Sequence, residues 1–307
     1  MSLTVLHPGL MSLLVDVGRP RSRSLGVPLG GASDRTALAL GNALVGNASD
    51  ALALEVTLAG PTVEAQHPTA CVVFGAPFSV TVDGHAITPA TTFTLSPGDV
   101  LRIGGAASGA RGYLCVAGGF DGPEALGSRS GLAPLAAGDT LVCPPSRCEP
   151  RALPFVSLIP DGGPPTLLRV LDGPQRDWFT DDRFFVGEYE VTPTSNRMGL
   201  RLKGDPLIRR PGELVSEAVA PGAVQITNDG LPIVLGVDGQ TIGGYPKVAH
   251  VIRADLDRLA QLRPGTRVRF VKITADEAES AATEQTRHLR RWLARLQAAD
   301  RCPVVIG

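Results

Sequence analysis

The chain has 307 residues, enough for two medium domains or one large barrel, and 43% of them are hydrophobic, which suits an ordinary packed core. A formal net charge of -1 sets up no long-range field for phosphate backbones or anionic lipid, so nucleic acid and membrane surfaces give way to small neutral or singly charged ligands. Five scattered cysteines (Cys71, Cys115, Cys143, Cys148, Cys302) without a CxxC argue against a disulfide framework or zinc knuckle. The start Met1-Ser2-Leu3-Thr4-Val5-Leu6-His7-Pro8-Gly9 lacks the basic and apolar regions of a signal peptide, so a cytoplasmic location is expected.

Thirty-six dispersed glycines and 26 prolines punctuate short runs of Val, Ile, Leu and Thr, the rhythm of a mostly β protein. Gly26 to Asp34 reads as a turn opening a helix from about Ser33 to Leu44, capped by Ser33 or Asp34. In Ala53-Leu54-Glu55-Val56-Thr57-Leu58, alternation sets Glu55 opposite the apolar face and so toward solvent. Val80 to Ile87 alternates around Asp83-Gly84, the signature of a tight hairpin. Gly104, Gly105, Gly109 and Gly112 read as a flexible hairpin loop before the strand Tyr113 to Val116. Arg129, in the small-residue turn after Leu126, reads as exposed.

Strands are expected to start from glycine turns at Gly98-Asp99, Gly138-Asp139 and Gly265-Thr266, a pattern that suits meandering barrels. Arg151 to Pro165 reads as a linker, which places a boundary near residue 160, with halves 1–160 and 161–275 and a tail from 276 to 307. A helix is predicted from Asp255 to Leu262. Another is predicted in the tail, where Thr274 and Glu277 have capping-box spacing and Leu289, Trp292, Leu293 and Leu296 form a stripe that packs on the body or on a partner.

No GxxxxGK[ST], GxSxG, HxH or HExxH is present, so neither a phosphate-binding loop nor a metal site is predicted. What remains are glycine-bounded segments carrying polar groups. In Asp238-Gly239-Gln240-Thr241-Ile242-Gly243-Gly244-Tyr245-Pro246-Lys247 the paired glycines allow close approach to the backbone, Gln240 offers a donor and an acceptor, and Lys247 offers a cation; an ordinary glycine-rich loop fits the same residues. Gln225, between Val224 and Ile226, either faces solvent or is buried and hydrogen-bonded. Arg197 follows a Ser195-Asn196 turn, as a solvated surface group or an anion contact, and Asp34 alone reads as a helix N-terminal carboxylate.

Seven stretches in order, GVPLGGASD from Gly26, GNALVGN from Gly41, LEVTLAGP from Leu54, AGGFDGPEALGSRS from Ala117, SNRMGLRL from Ser195, SEAVAPGAVQITNDGLPIVLGVDGQTIGGYPKVAHVI from Ser216 and LAQLRPGTRVRF from Leu259, resemble one family along nearly the whole chain. This is the family of the 5-oxoprolinase C subunit, also described as the Kip antagonist or allophanate hydrolase subunit 2 family of biotin-dependent carboxyltransferases. The resemblance implies a cyclophilin-like β-barrel architecture in two halves and a cleft formed by the DGQTIGGYP and GAVQ segments. The stretch from Gly131 to Gly138 is shorter than in typical members.

Under that resemblance Gln225, Gln240, Thr241, Gly243, Gly244, Tyr245, Arg129 and Arg197 become expected substrate-binding residues, with Lys247, Asp34 and Glu55 as expected catalytic ones. It implies one component of an ATP-dependent 5-oxoprolinase, active only with Kip inhibitor-like and lactam-utilisation-like partner subunits, the ATP being bound by or shared with a partner. Two alternatives stay open: a carboxyltransferase component of a urea carboxylase-like enzyme, for which biotin would be the cofactor, and a non-catalytic regulatory binding protein.

Overall fold

A computed structural model describes residues 2–153, 165–179 and 182–301, with side chains described to residue 298. The expected linker and its boundary near residue 160 lie for the most part outside the described residues, as does Cys302. The described chain divides into two compact units, one formed by residues 2–18, 34–153 and 287–301, the other by 19–33, 165–179 and 182–286. The fold is mostly β, as the turn-punctuated sequence leads one to expect.

In the first unit the strands form two antiparallel sheets. The six-stranded sheet runs in the order Thr140–Val142, Ser2–His7, Thr62–Ala65, Val100–Ala106, Phe78–Val82 and His85–Ala86; the five-stranded sheet runs Ser12–Val15, Ala53–Thr57, Arg111–Val116, Thr69–Gly75 and Phe93–Leu95. Leu3, Val63, Leu101 and Ile103 from the one and Leu54, Val56, Leu114 and Val116 from the other fill a single core. The helix Arg35–Leu44 packs on strands Arg111–Val116 and Thr69–Gly75, so closely that a side chain at Gly41 would begin 2.9 Å from Cys115 Sγ and 3.1 Å from Phe74 Cβ. Both faces of the strand Arg111–Val116 are therefore covered, and it is buried at every position.

The Asp83-Gly84 hairpin forms as expected, with Val82 opposite His85 and both turn residues at positive φ. The glycine run does not form a hairpin. Gly104 and Gly105 lie in a strand of the six-stranded sheet and Gly112 in a strand of the other, so the intervening residues cross between sheets. These glycines serve packing: a side chain at Gly104 would begin 2.3 Å from Ser79 Oγ, and one at Gly112 2.8 Å from the Phe78 ring.

In the second unit seven strands close into a barrel in the order Thr166–Asp172, Lys247–Val251, Ala223–Ile226, Pro232–Leu235, Gly199–Lys203, Tyr189–Val191 and Arg267–Lys272, the last pairing parallel with the first. Its interior holds Leu168, Val170, Val224, Ile226, Val234, Val268 and Phe270. Outside the barrel lies a two-stranded ribbon, Glu217–Ala218 with Ile242–Gly243.

The Gly98, Gly138 and Gly265 turns each sit at positive φ immediately before a strand. In the first two the following Asp accepts from the backbone three residues back, Asp99 from Ser96 N–H at 2.7 Å and Asp139 from Ala136 N–H at 2.8 Å, and Thr266 does the same for Arg263 at 3.3 Å. The helix predicted from Asp255 is shorter, Leu256–Ala260, because Asp255 belongs to a preceding 3-10 turn and its carboxylate is bonded by Arg169. The tail helix Ala275–Arg301 opens on the expected capping box: Thr274 N–H donates to Glu277 at 2.7 Å, and Glu277 N–H to Thr274 Oγ1 at 3.3 Å. Its stripe packs on the body, Leu289 and Trp292 facing Thr36, Leu40, Phe74 and Leu153 within the first unit.

Candidate functional site

The barrel strand Ala223–Ile226 puts Val224 and Ile226 inside and turns Gln225 to the outer face. That face is not solvated. Val219, Ala223 and Leu235, with Ile233, form a small apolar layer over it, and Gln225 is only 1% exposed. Its Nε2 has no hydrogen-bond partner among the described residues. An unpaired buried amide donor costs about 1–3 kcal/mol, a cost that a ligand acceptor would remove.

Gly243, in the ribbon, explains how close an approach is possible. A side chain there would begin 2.6 Å from Gln225 Nε2, 3.4 Å from Val219 Cγ1 and 3.5 Å from Gln240 Nε2. A side chain there would crowd the Gln225 amide, and its absence leaves both amides close to Gly243. Gln240 is exposed and, with Gly244, Tyr245, Leu214, Glu213, Arg209 and Asn228, lines an open groove of 520 Å³; Tyr245 and Asn228 also border a second groove of 490 Å³. The Thr241 carbonyl accepts from Val219 N–H at 3.0 Å, which ties the loop to the apolar layer.

Lys247 pairs with Gln225 across the strands and is 5% exposed, so it is not the open cleft cation its loop position suggests. Its ammonium is bonded to Glu217, its backbone N–H donates to Gln175 Oε1 at 3.0 Å, and Gln175 Nε2 donates to the same Glu217 oxygen at 2.7 Å. The Lys247 ammonium, helped by Gln175 and opposed by burial, holds the Glu217 carboxyl below the ordinary carboxylate range. Sequence reading gave Glu217 and Gln175 no role. Glu217 heads the segment that contains Gln225, and Gln175 follows Gly173, where a side chain would begin 2.2 Å from the Lys247 carbonyl; nothing in the local sequence Gly173-Pro174-Gln175 signals that approach.

Arg197 is buried rather than solvated. Its guanidinium grips Asp238 through two bonds of 2.7 and 3.0 Å, donates to Ser33 Oγ at 3.1 Å and to the Gly31 carbonyl at 2.7 Å, and so braces the loop that carries Gln240. These bonds make it a clamp.

The remaining expected residues belong to the first unit. Asp34 Oδ1 caps the helix through Ala37 N–H at 2.8 Å, the role its local sequence indicates. Glu55, expected in solvent, is 1% exposed. On the face opposite the core Tyr113, on the neighbouring strand that the helix covers, donates to Glu55 at 2.8 Å and accepts from Asp34 N–H at 2.8 Å, and Arg111 lies 3.5 Å from the other Glu55 oxygen. Burial, then the Glu55 and Asp34 charges, push the Tyr113 phenol well above its ordinary range. Arg129 is half exposed and contacts Asp121 and Glu124, while its backbone N–H donates to Asp16 at 2.6 Å. Although partial burial opposes it, bonds from Ser128, Ser130, Gly18 and Arg129 hold the Asp16 carboxyl below its ordinary value and fix the turn.

Residues 25–272 match the family described as carboxyltransferase domain, subdomain A and B. The chain belongs to this family. It is 34% identical to the 5-oxoprolinase C subunit of Escherichia coli over 96% of this chain and 98% of that protein, and 35% identical to the 5-oxoprolinase C subunit of Haemophilus influenzae over 90% and 93%. Among solved structures, the K. lactis urea amidolyase is similar at a TM-score of 0.86 and 30% identity, covering 95% of this chain but 20% of that much longer one. The matched family range takes in both the Glu55 and the Gln225 neighbourhoods. No helix among the described residues is long and apolar enough to cross a membrane.

Proposed function

We propose that this chain is one component of an ATP-dependent 5-oxoprolinase complex, that it recognises the ring amide of 5-oxoproline, and that it turns over only with its partner subunits. The observation that carries this reading is the buried, unpartnered Gln225 amide converging with Gln240 at Gly243. A ring amide presents C=O beside N–H, and glutamine side chains supply the complementary donor and acceptor. End-to-end similarity to two proteins named as 5-oxoprolinase C subunits supports the same reading.

Resonance makes such an amide a poor electrophile, and ATP supplies activation of the carbonyl oxygen. On this chain Gln225 and Gln240 orient the ring, Gly243 admits it, and Lys247, held by Glu217 and Gln175, provides positive charge for a developing oxyanion. The bonding of Asp34 and Glu55 supports a structural role for both over proton transfer.

A second reading, a carboxyltransferase component that works on urea-type amides with a biotinylated carrier, is favoured by the similarity to urea amidolyase. The assembled complex separates the two. The first reading expects ATP hydrolysis stimulated by 5-oxoproline, unaffected by urea and insensitive to avidin; urea-driven, avidin-sensitive turnover would replace it with the second.

A further inference from the structure

Arg23 lies in the 3-10 turn Arg23–Leu25, within the second unit, and carries a donor the amide site does not explain. Its Nη2 is bonded to the Val219 carbonyl, while its Nη1 is buried with no hydrogen-bond partner among the described residues. Among those residues no carboxylate pairs with it. Val219 is also the residue whose Cγ1 lies 3.4 Å from the point where a Gly243 side chain would begin, with Gln225 Nε2 at 2.6 Å from that point. Two buried donors without partners, one neutral and one cationic, therefore flank Val219.

A neutral ring amide offers one carbonyl acceptor and one N–H, which the two glutamines match. It leaves the guanidinium unanswered. A guanidinium that is partly desolvated and lacks a counter-ion selects an anionic oxygen, and its planar fork suits a carboxylate. We propose that Arg23 reads a carboxylate on the ligand of this site and is the residue that sets a preference for a carboxylate-bearing cyclic amide over a neutral amide of the urea type. This rests on the amide reading of Gln225 and Gln240 given above.

The test is calorimetric titration of the full chain with 5-oxoproline, 2-pyrrolidinone (the same ring amide without the carboxylate), cyclopentanecarboxylate (the carboxylate without the amide) and inorganic phosphate. Wild type is expected to bind 5-oxoproline about 10- to 100-fold more tightly than 2-pyrrolidinone. Arg23→Gln should bring 5-oxoproline to the level of 2-pyrrolidinone and leave the latter unchanged, which also reports an intact fold; Arg23→Lys should keep part of the preference. Equal wild-type binding of the two lactams, equal loss of both in Arg23→Gln, or Arg23-dependent binding of phosphate but not of the carboxylates overturns the proposal. Arg23-dependent binding of cyclopentanecarboxylate as tight as that of 5-oxoproline removes the amide reading and leaves Arg23 standing. No binding of any of the four overturns both.

Discussion

At Gln225 the folded protein carries a desolvated donor with no partner among the described residues, so Gln225→Leu separates stability from function. Removing that donor should leave the thermal midpoint unchanged or raised, whereas 5-oxoproline binding by the assembled complex should weaken by about 1–3 kcal/mol, read by calorimetry. Unchanged binding would assign the amide to packing. Lys247→Ala acts differently, because Lys247 is buried and holds Glu217. Activity should be lost, and stability should fall by about 1–2 kcal/mol in chemical denaturation at neutral pH.

The pH dependence of that loss has a defined sign. Glu217 has a folded pKa below its unfolded one, so its contribution is present above the unfolded value and disappears as pH falls through the folded value. The gap between wild type and Lys247→Ala should therefore narrow below about pH 4.3, by well under about 1 kcal/mol since Glu217 is partly exposed. A gap that widens in acid would contradict the pairing. At this scale the sequence singled out Gln225, Gln240 and Gly243, which the fold brings close together, but mistook the surroundings of Glu55 and Lys247. Strand alternation says which face a residue takes; it does not say that Tyr113 and Arg111 enclose Glu55 on that face, or that Glu217 and Gln175 close around Lys247.

Among the elements, the tail helix offers the cleanest local test. Thr274 and Glu277 satisfy each other's backbone at its start, so Thr274→Ala should cost about 1 kcal/mol in denaturation while ligand binding stays at the wild-type level. A neutral substitution would mean that packing of Leu289, Trp292 and Leu296 alone sets the helix. The elements that were legible are those whose determinants are local: the Asp83-Gly84 hairpin, the glycine turns ahead of strands, the capping box and the helix opened by Asp34. The Gly104 to Gly112 run was misread because a hairpin and a crossing between sheets look alike in local sequence. The difference lies in distant partners, Ser79 and the Phe78 ring, against which those glycines pack.

For the whole molecule, the mostly β character followed from punctuation by glycine and proline, while closure of the seven-stranded barrel depends on the parallel pairing of Thr166–Asp172 with Arg267–Lys272, about a hundred residues apart, which no local pattern encodes. On the function proposed above, this chain recognises the amide and partner subunits complete the chemistry. The most direct measurement is 5-oxoproline-stimulated ATP hydrolysis by the chain alone, by its partner subunits alone, and by the reconstituted complex containing wild-type or Gln225→Leu chain. Turnover should appear only in the complete wild-type complex and be strongly reduced with Gln225→Leu; full turnover by the partners without this chain, or by this chain without them, would overturn this division of roles.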